Sequence, residues 1–138
     1  MLNGKAIALR LAQDGYDVCI NDISANKAGA EETSQEIQKM GRKSIAVVAD
    51  VSKMAEVESL IEQTVKELGP LNTMVANAGI AQVKALLDLT EEDLRRMFDV
   101  NFFGVYNSYA AAAKQMIKQG NGGKLIGAAR YALADTPS

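Results

Sequence analysis

Apolar residues recur every three or four positions from Met54 to Leu68, at Met54, Val57, Leu60, Ile61, Val65 and Leu68. That period places all six on one face of a helix, and Gly69 closes it. A weaker period runs over Lys5–Asp14, where Ile7 and Leu11 lie one turn apart and Gly15 closes the helix. A third helix is expected from Ala25 to Met40, capped by Ser24, with a thin apolar side of Ala28, Ile37 and Met40 before Gly41. Ser52 is expected to cap the helix at Met54. The longest helix should begin at Thr90-Glu91-Glu92-Asp93, a cap followed by acidic residues that complement the helix dipole, and run to Gln119. Its apolar positions include Leu94, Met97, Phe98, Val105, Tyr109, Ala112 and Met116, interrupted by Asn101 and Gly104.

Between these helices stand short apolar runs bounded by turn formers. Tyr16–Asn21 ends at Asp22, Ser44–Ala49 runs into Asp50-Val51-Ser52, and Leu71–Ala76 stops at Asn77-Ala78-Gly79. Lys124–Ala129 follows the turn Gly120-Asn121-Gly122-Gly123. Each run is too short for a helix and reads as a strand. Strands alternating with helices, with no other repeat, predict an α/β fold with a parallel sheet. In such sheets ligands bind in the crevice outside the carboxyl ends of the strands. Asp22, Asp50 and Asn77-Ala78-Gly79 stand at those ends.

Composition narrows the field. At 138 residues, 48% of them hydrophobic, the chain suffices for one ordinary core. Lys and Arg number 15 against 17 Asp and Glu, so no basic face recommends a nucleic acid. No histidine and a single cysteine, Cys19, leave neither a metal site nor a disulfide framework to expect; Cys19 is expected in the core. No apolar run approaches the ~18 residues of a membrane span. Lys5 and Arg10 break the start where a secretory signal would be apolar, so no membrane and a cytoplasmic setting are expected.

The order and spacing of Asp22, Asp50-Val51, Asn77-Ala78-Gly79 and Asn101 resemble the short-chain dehydrogenase/reductase family over Gly4 to Ala129. Within it, Gly-Lys-Ala-Ile-Ala-Leu-Arg-Leu-Ala, Asn-Asp-Ile-Ser and Val-Ala-Asn-Ala-Gly-Ile-Ala resemble the diacetyl and acetoin reductase branch. The resemblance implies residues 1–129 as a partial dinucleotide-binding domain and 130–138 as an unmatched tail. The implied fold is an incomplete Rossmann-type, doubly wound parallel sheet lacking its first strand and its C-terminal strands and helices. Two strand edges would then face a gap, and such a fold should be weak.

The same resemblance implies roles. Asp22, followed by Ile23, would meet the adenosine ribose; a carboxylate there favours NAD, with NADP the lesser fit. Asp50 would take the adenine amino group, helped by the backbone of Val51. Asn77, Ala78 and Gly79 would line the cofactor cleft, with the Asn77 side chain tying neighbouring strands together. Gly4 would be the last glycine of a pyrophosphate-binding turn, and without the others binding is expected to be weak. Asn101 would be the catalytic-set asparagine, kinking its helix and holding a water of the proton relay; a plain buried asparagine is the alternative. The family's serine position falls on Arg130, and no Tyr-x-x-x-Lys occurs, Tyr131 being followed four residues on by Asp135. Turnover by this polypeptide is therefore not expected. An intact relative would pass hydride between NAD(H) and a small hydroxy or keto compound. A non-catalytic remnant, a weak dinucleotide-binding module or one that associates as a homo-oligomer through the helix at 90–119, is the other reading. A flavodoxin-like domain would leave Asn-Ala-Gly and Asn101 without a reason.

Overall fold

In the computed structural model, which describes residues 2–128, the strands pair two by two. Helix α1 (Leu2–Gln13) leads to strand β1 (Val18–Asp22), helix α2 (Lys27–Lys39) to β2 (Ser44–Val48), and α3 (Met54–Leu68) to β3 (Thr73–Ala76). Helix α4 (Glu91–Phe98), a π-helical segment (Asp99–Phe103) and α5 (Gly104–Gln119) precede β4 (Lys124–Gly127). β1 and β2 pair in parallel, Val18 opposite Ser44. β3 and β4 pair in parallel, Thr73 opposite Lys124. Among the described residues no strand joins the two sheets. The result is an α/β fold with a partial, Rossmann-like parallel sheet.

Alternation along β1 sorts the helices onto two faces. Val18 and Ile20 pack against Ala8, Ala12 and the fully buried Ile37, so α1 and α2 cover one face. Cys19 lies on the other, with Ile45, Val47 and Leu60 of α3. On that face Val57 and Ile61 of α3 meet Ala111, Ala112 and Met116 of α5 and Leu71 before β3. Helix α3 thus links the β1–β2 sheet to α5. Cys19, expected in the core, is half-buried against Val47 and Leu60, and burial pushes its thiol up from its ordinary value.

All four strands point their carboxyl ends the same way. The carbonyl of Val51, just past β2, accepts from Asn107 Nδ2 in the first turns of α5 at 2.9 Å. Ile80, just past β3, bonds Asn101 immediately before α5. At the far end Gln119 bonds the backbone of Leu71, with Leu71 N–H donating to Oε1 at 2.9 Å and Nε2 donating to the Leu71 carbonyl at 3.0 Å.

Several local expectations are corrected. Ser24 does not cap α2: Ser24–Asn26 forms a 3-10 turn and the helix starts at Lys27. Its covered face is Ala30, Thr33, Ser34 and Ile37, whereas Ala28 and Met40 are exposed. Ser52 does not cap α3, which begins after Lys53, because its hydroxyl donates to Asp50 Oδ1 at 2.7 Å. The long helix is three segments, its middle widened to a π turn at Asp99–Phe103. Thr90 does cap α4, in a reciprocal capping box with Asp93. Ala129, Arg130, Tyr131, Asp135 and the tail 130–138 lie outside the described residues.

Candidate functional site

One groove, about 2830 Å³, is lined by β1, β3, α1, α3 and the segments that leave the carboxyl ends of the strands. Gly4, Asp22, Ile23, Asp50, Val51, Asn77, Ala78, Gly79 and Asn101 all line it. Drug-sized pockets span about 300–1,000 Å³, so the groove is larger than one small ligand needs.

Asp22 closes β1. Its Oδ1 accepts from the Ile23 N–H at 2.8 Å and from Asn26 Nδ2 at 3.3 Å. Both bonds engage Oδ1 and hold the carboxylate in place. Asn26 escaped the sequence reading, though its spacing, four residues after Asp22, was a usable signal.

Asp50 is held differently. Its Oδ1 accepts from the Ser52 hydroxyl at 2.7 Å and the Ser52 N–H at 3.0 Å, and Lys53 Nζ lies 3.8 Å from Oδ2. The Ser52 hydroxyl, then the Ser52 N–H and the Lys53 charge, hold the carboxyl below its ordinary value against the opposing effect of burial. The Asp50 N–H donates to Glu56 Oε2 at 2.7 Å. Val51 is buried, and its carbonyl is engaged by Asn107. A Cβ added at Gly104 would lie 2.7 Å from Val51 Cγ2, so only glycine lets α5 approach this closely. Asn107 and Gly104 were also missed, the Asn107 partner lying 56 residues away.

Past β3, the Asn77 side chain makes no hydrogen bond to a neighbouring strand among the described residues. Its Nδ2 instead faces Gly4, where an added Cβ would come within 3.1 Å. Gly4 sits in the first turn of α1, so α1 starts against Asn77. Ala78 and Gly79 are exposed on the groove wall, and a Cβ at Gly79 would lie 3.3 Å from Asn101 Oδ1.

Asn101 is exposed rather than buried, which removes the core-asparagine alternative. Its Oδ1 accepts from the Ile80 N–H at 2.8 Å, and its Nδ2 donates to the Ile80 carbonyl at 2.9 Å. The side-chain amide thus pairs with Ile80 as a strand backbone would. It does so from the centre of the π turn, a geometry frequent at functional sites.

The groove therefore offers acceptors at Asp22 and Asp50, small residues at Gly4, Ala78 and Gly79, and two amides. That donor set suits hydroxyls and amino groups of a polar ligand. No group of three or more potential metal ligands occurs among the described residues, and no helix there is long and apolar enough to cross a membrane.

Comparison with known proteins places this geometry. The family model for short chain dehydrogenase matches residues 4–129. A short-chain dehydrogenase/reductase of Armillaria gallica is 49% identical over 125 residues, covering 91% of this chain and 48% of the relative. A diacetyl reductase [(S)-acetoin forming] of Staphylococcus epidermidis is 43% identical over 129 residues, covering 94% and 49%. Among solved structures, a short-chain type dehydrogenase/reductase from Mycobacterium marinum superposes with a TM-score of 0.84 at 34% identity, covering 90% of this chain and 49% of that one. A short chain dehydrogenase from Burkholderia cenocepacia in complex with NADP gives 0.81 at 34% identity, covering 88% and 48%. The chain spans about half the length of these relatives. Two parallel strand pairs with polar groups gathered at their carboxyl ends, and a family match over nearly every described residue, lead to one assignment: the chain belongs to the short-chain dehydrogenase family.

Proposed function

We propose that residues 4–128 carry the adenosine half of a nicotinamide dinucleotide site, with NAD preferred over NADP. One observation carries the reading: Asp22, Asp50 and Asn77–Gly79, from three separate segments, face a single groove at the carboxyl ends of parallel strands. Asp22 Oδ2 receives a ribose hydroxyl, while a 2′-phosphate in that position meets a like charge. Asp50 takes the adenine amino group, and its lowered pKa keeps it ionised as an acceptor. Gly4, Ala78 and Gly79 keep the wall low enough for a ligand to pass. When bound, the cofactor supplies a nicotinamide ring that exchanges hydride. Asn101 belongs to the catalytic set, and with its side chain committed to Ile80 its part is to hold the π turn in place.

The whole protein's reaction is then hydride exchange between NAD(H) and a small hydroxy or keto compound. The named activity of the Staphylococcus epidermidis relative favours the acetoin and diacetyl class. The 138-residue polypeptide contains no Tyr-x-x-x-Lys, and so should consume no NADH with diacetyl beyond a heat-killed control.

Cofactor choice is tested by calorimetric titration of the purified chain with NAD and NADP. Weak binding with NAD ahead is expected, and Asp22→Asn should narrow the gap about tenfold, the size of ~1.4 kcal/mol. Equal affinities in the unchanged chain would sink the reading.

A second reading rests on exposed aromatic residues, of which Phe102 and Tyr106 also line the groove. Leu94, Phe98, Phe102, Phe103 and Tyr106 are all exposed, Phe98 by 62% and Phe102 by 60%. Phe102 meets Phe103 edge to face at 5.4 Å between ring centroids. A contiguous aromatic patch of this kind marks an association surface, and we propose that two copies pair through it. Sedimentation should show a dimer that Phe102→Ser weakens.

A further inference from the structure

Helix α3 carries in its first turn an acidic side chain that does not serve its own helix end. Lys53 caps α3, and Glu56 stands three residues later, where a glutamate ordinarily reaches back to the N–H of the cap residue. That N–H is already taken, since Lys53 donates to the Asp50 carbonyl at 3.0 Å. Glu56 reaches further back, and its Oε2 accepts from the Asp50 N–H at 2.7 Å. Its Oε1 accepts from Lys53 Nζ at 3.0 Å. The Asp50 N–H, then the Lys53 ammonium, hold the Glu56 carboxyl below its ordinary value.

These contacts converge on one residue of the groove. The Asp50 carbonyl takes the Lys53 N–H, its own N–H goes to Glu56, and its Oδ1 takes both the hydroxyl and the N–H of Ser52. Oδ2 makes no hydrogen bond among the described residues, and Lys53 Nζ stands 3.8 Å from it. The Ser52 bonds are local and would travel with the turn from β2 to α3 wherever it moved. The Glu56 bond is different, because α3 is fixed to the core through the buried Val57, Leu60 and Ile61. It refers the peptide plane from which the Asp50 side chain departs to a rigid helix. Asp50 lines the groove, whereas Lys53 and Glu56 do not, so Glu56 can act on a ligand only through Asp50.

We propose that Glu56 is a positioning residue for base recognition: by holding the Asp50 N–H it aims the Asp50 carboxylate at the exocyclic amino group of an adenine nucleotide. The inference rests on the dinucleotide reading of the groove and adds to it the side chain that sets selectivity for the base. What counts is the reach of Glu56 to that N–H, not its charge.

Two conservative variants separate reach from charge. Glu56→Asp keeps a negative charge in the first turn of α3 but is one methylene too short to meet the Asp50 N–H. Glu56→Gln keeps the length and an accepting oxygen, and gives up the charge. The unchanged 138-residue chain and both variants are titrated with NAD and with nicotinamide hypoxanthine dinucleotide, in which a carbonyl oxygen replaces the adenine amino group. The unchanged chain should prefer NAD at least about tenfold, as a hydrogen bond to a charged group allows. Glu56→Gln should keep that preference. Glu56→Asp should lose it, and its Asp50 amide should exchange about tenfold faster while the Leu60 and Ile61 amides keep their protection. A preference that survives in Glu56→Asp, or that Glu56→Gln abolishes, overturns the proposal and leaves the dinucleotide reading standing. If the unchanged chain does not distinguish the two ligands, the adenine role of Asp50 falls and the proposal falls with it.

Discussion

Gly104 is buried where α5 starts, against a Val51 methyl that leaves no space for a Cβ. Gly104→Ala should cost about 1–3 kcal/mol through overpacking. Combined with Val51→Ala, the loss should fall short of the sum of the two single losses by about 1 kcal/mol, read from urea unfolding. Asp93 shows what a partner does to a carboxylate. The Lys84 ammonium, at 2.6 Å, then the N–H and hydroxyl of Thr90, hold its pKa down to about 2 from the ordinary 3.8. A depressed folded-state pKa contributes stability that is complete above the unfolded value and lost as pH falls through the folded one. The tether between residue 84 and the start of α4 should therefore release between about pH 4 and pH 2, and the Asp93 amide resonance should report it; an unchanged resonance across that window would refute the link.

At the scale of elements, what could be read in advance depended on how far away the partners lie. The Thr90 cap was legible because its partner lies three residues away; Thr90→Ala should cost about 1 kcal/mol, seen as faster amide exchange in the first turn of α4. The α3 stripe was legible because large apolar residues mark it. Helix α2 was misread because its covered face is built from Ala30, Thr33 and Ser34, with the Thr33 hydroxyl returned to the Gly29 carbonyl at 2.8 Å. Ser52 was misread because two local bonds competed for its hydroxyl, and Asp50 won over the helix end. Asn107 and Gln119 were out of reach altogether, their partners lying 56 and 48 residues away. The positions of Asp22, Asp50, Asn77 and Asn101 around one groove were legible as spacing; that Asn101 is spent on Ile80 was not.

For the molecule as a whole, the cores matter more than the helix count. Ile37, Ala8 and Ala12 form one cluster, and Val57, Ile61, Ala112 and Met116 another, with α3 packed on both the β1–β2 sheet and α5. Ile37→Ala should remove about 2–5 kcal/mol from the first cluster. Exchange protection should then drop across β1 and β2 while β3 and β4 keep theirs, as two cooperative units rather than one. Uniform loss in all four strands would show a single unit instead. The side-chain amides of Asn101 and Gln119 grip Ile80 and Leu71 at the two ends of the stretch that contains β3. The eighteen steps from residue 101 to 119 rise ~27 Å as helix, and the nine from 71 to 80 reach at most ~30 Å if extended, so helix and strand segment gauge each other's length. An insertion or deletion anywhere between residues 101 and 119 would pull one grip loose, which makes this partly exposed helix a ruler that tolerates new side chains far better than a changed number of residues.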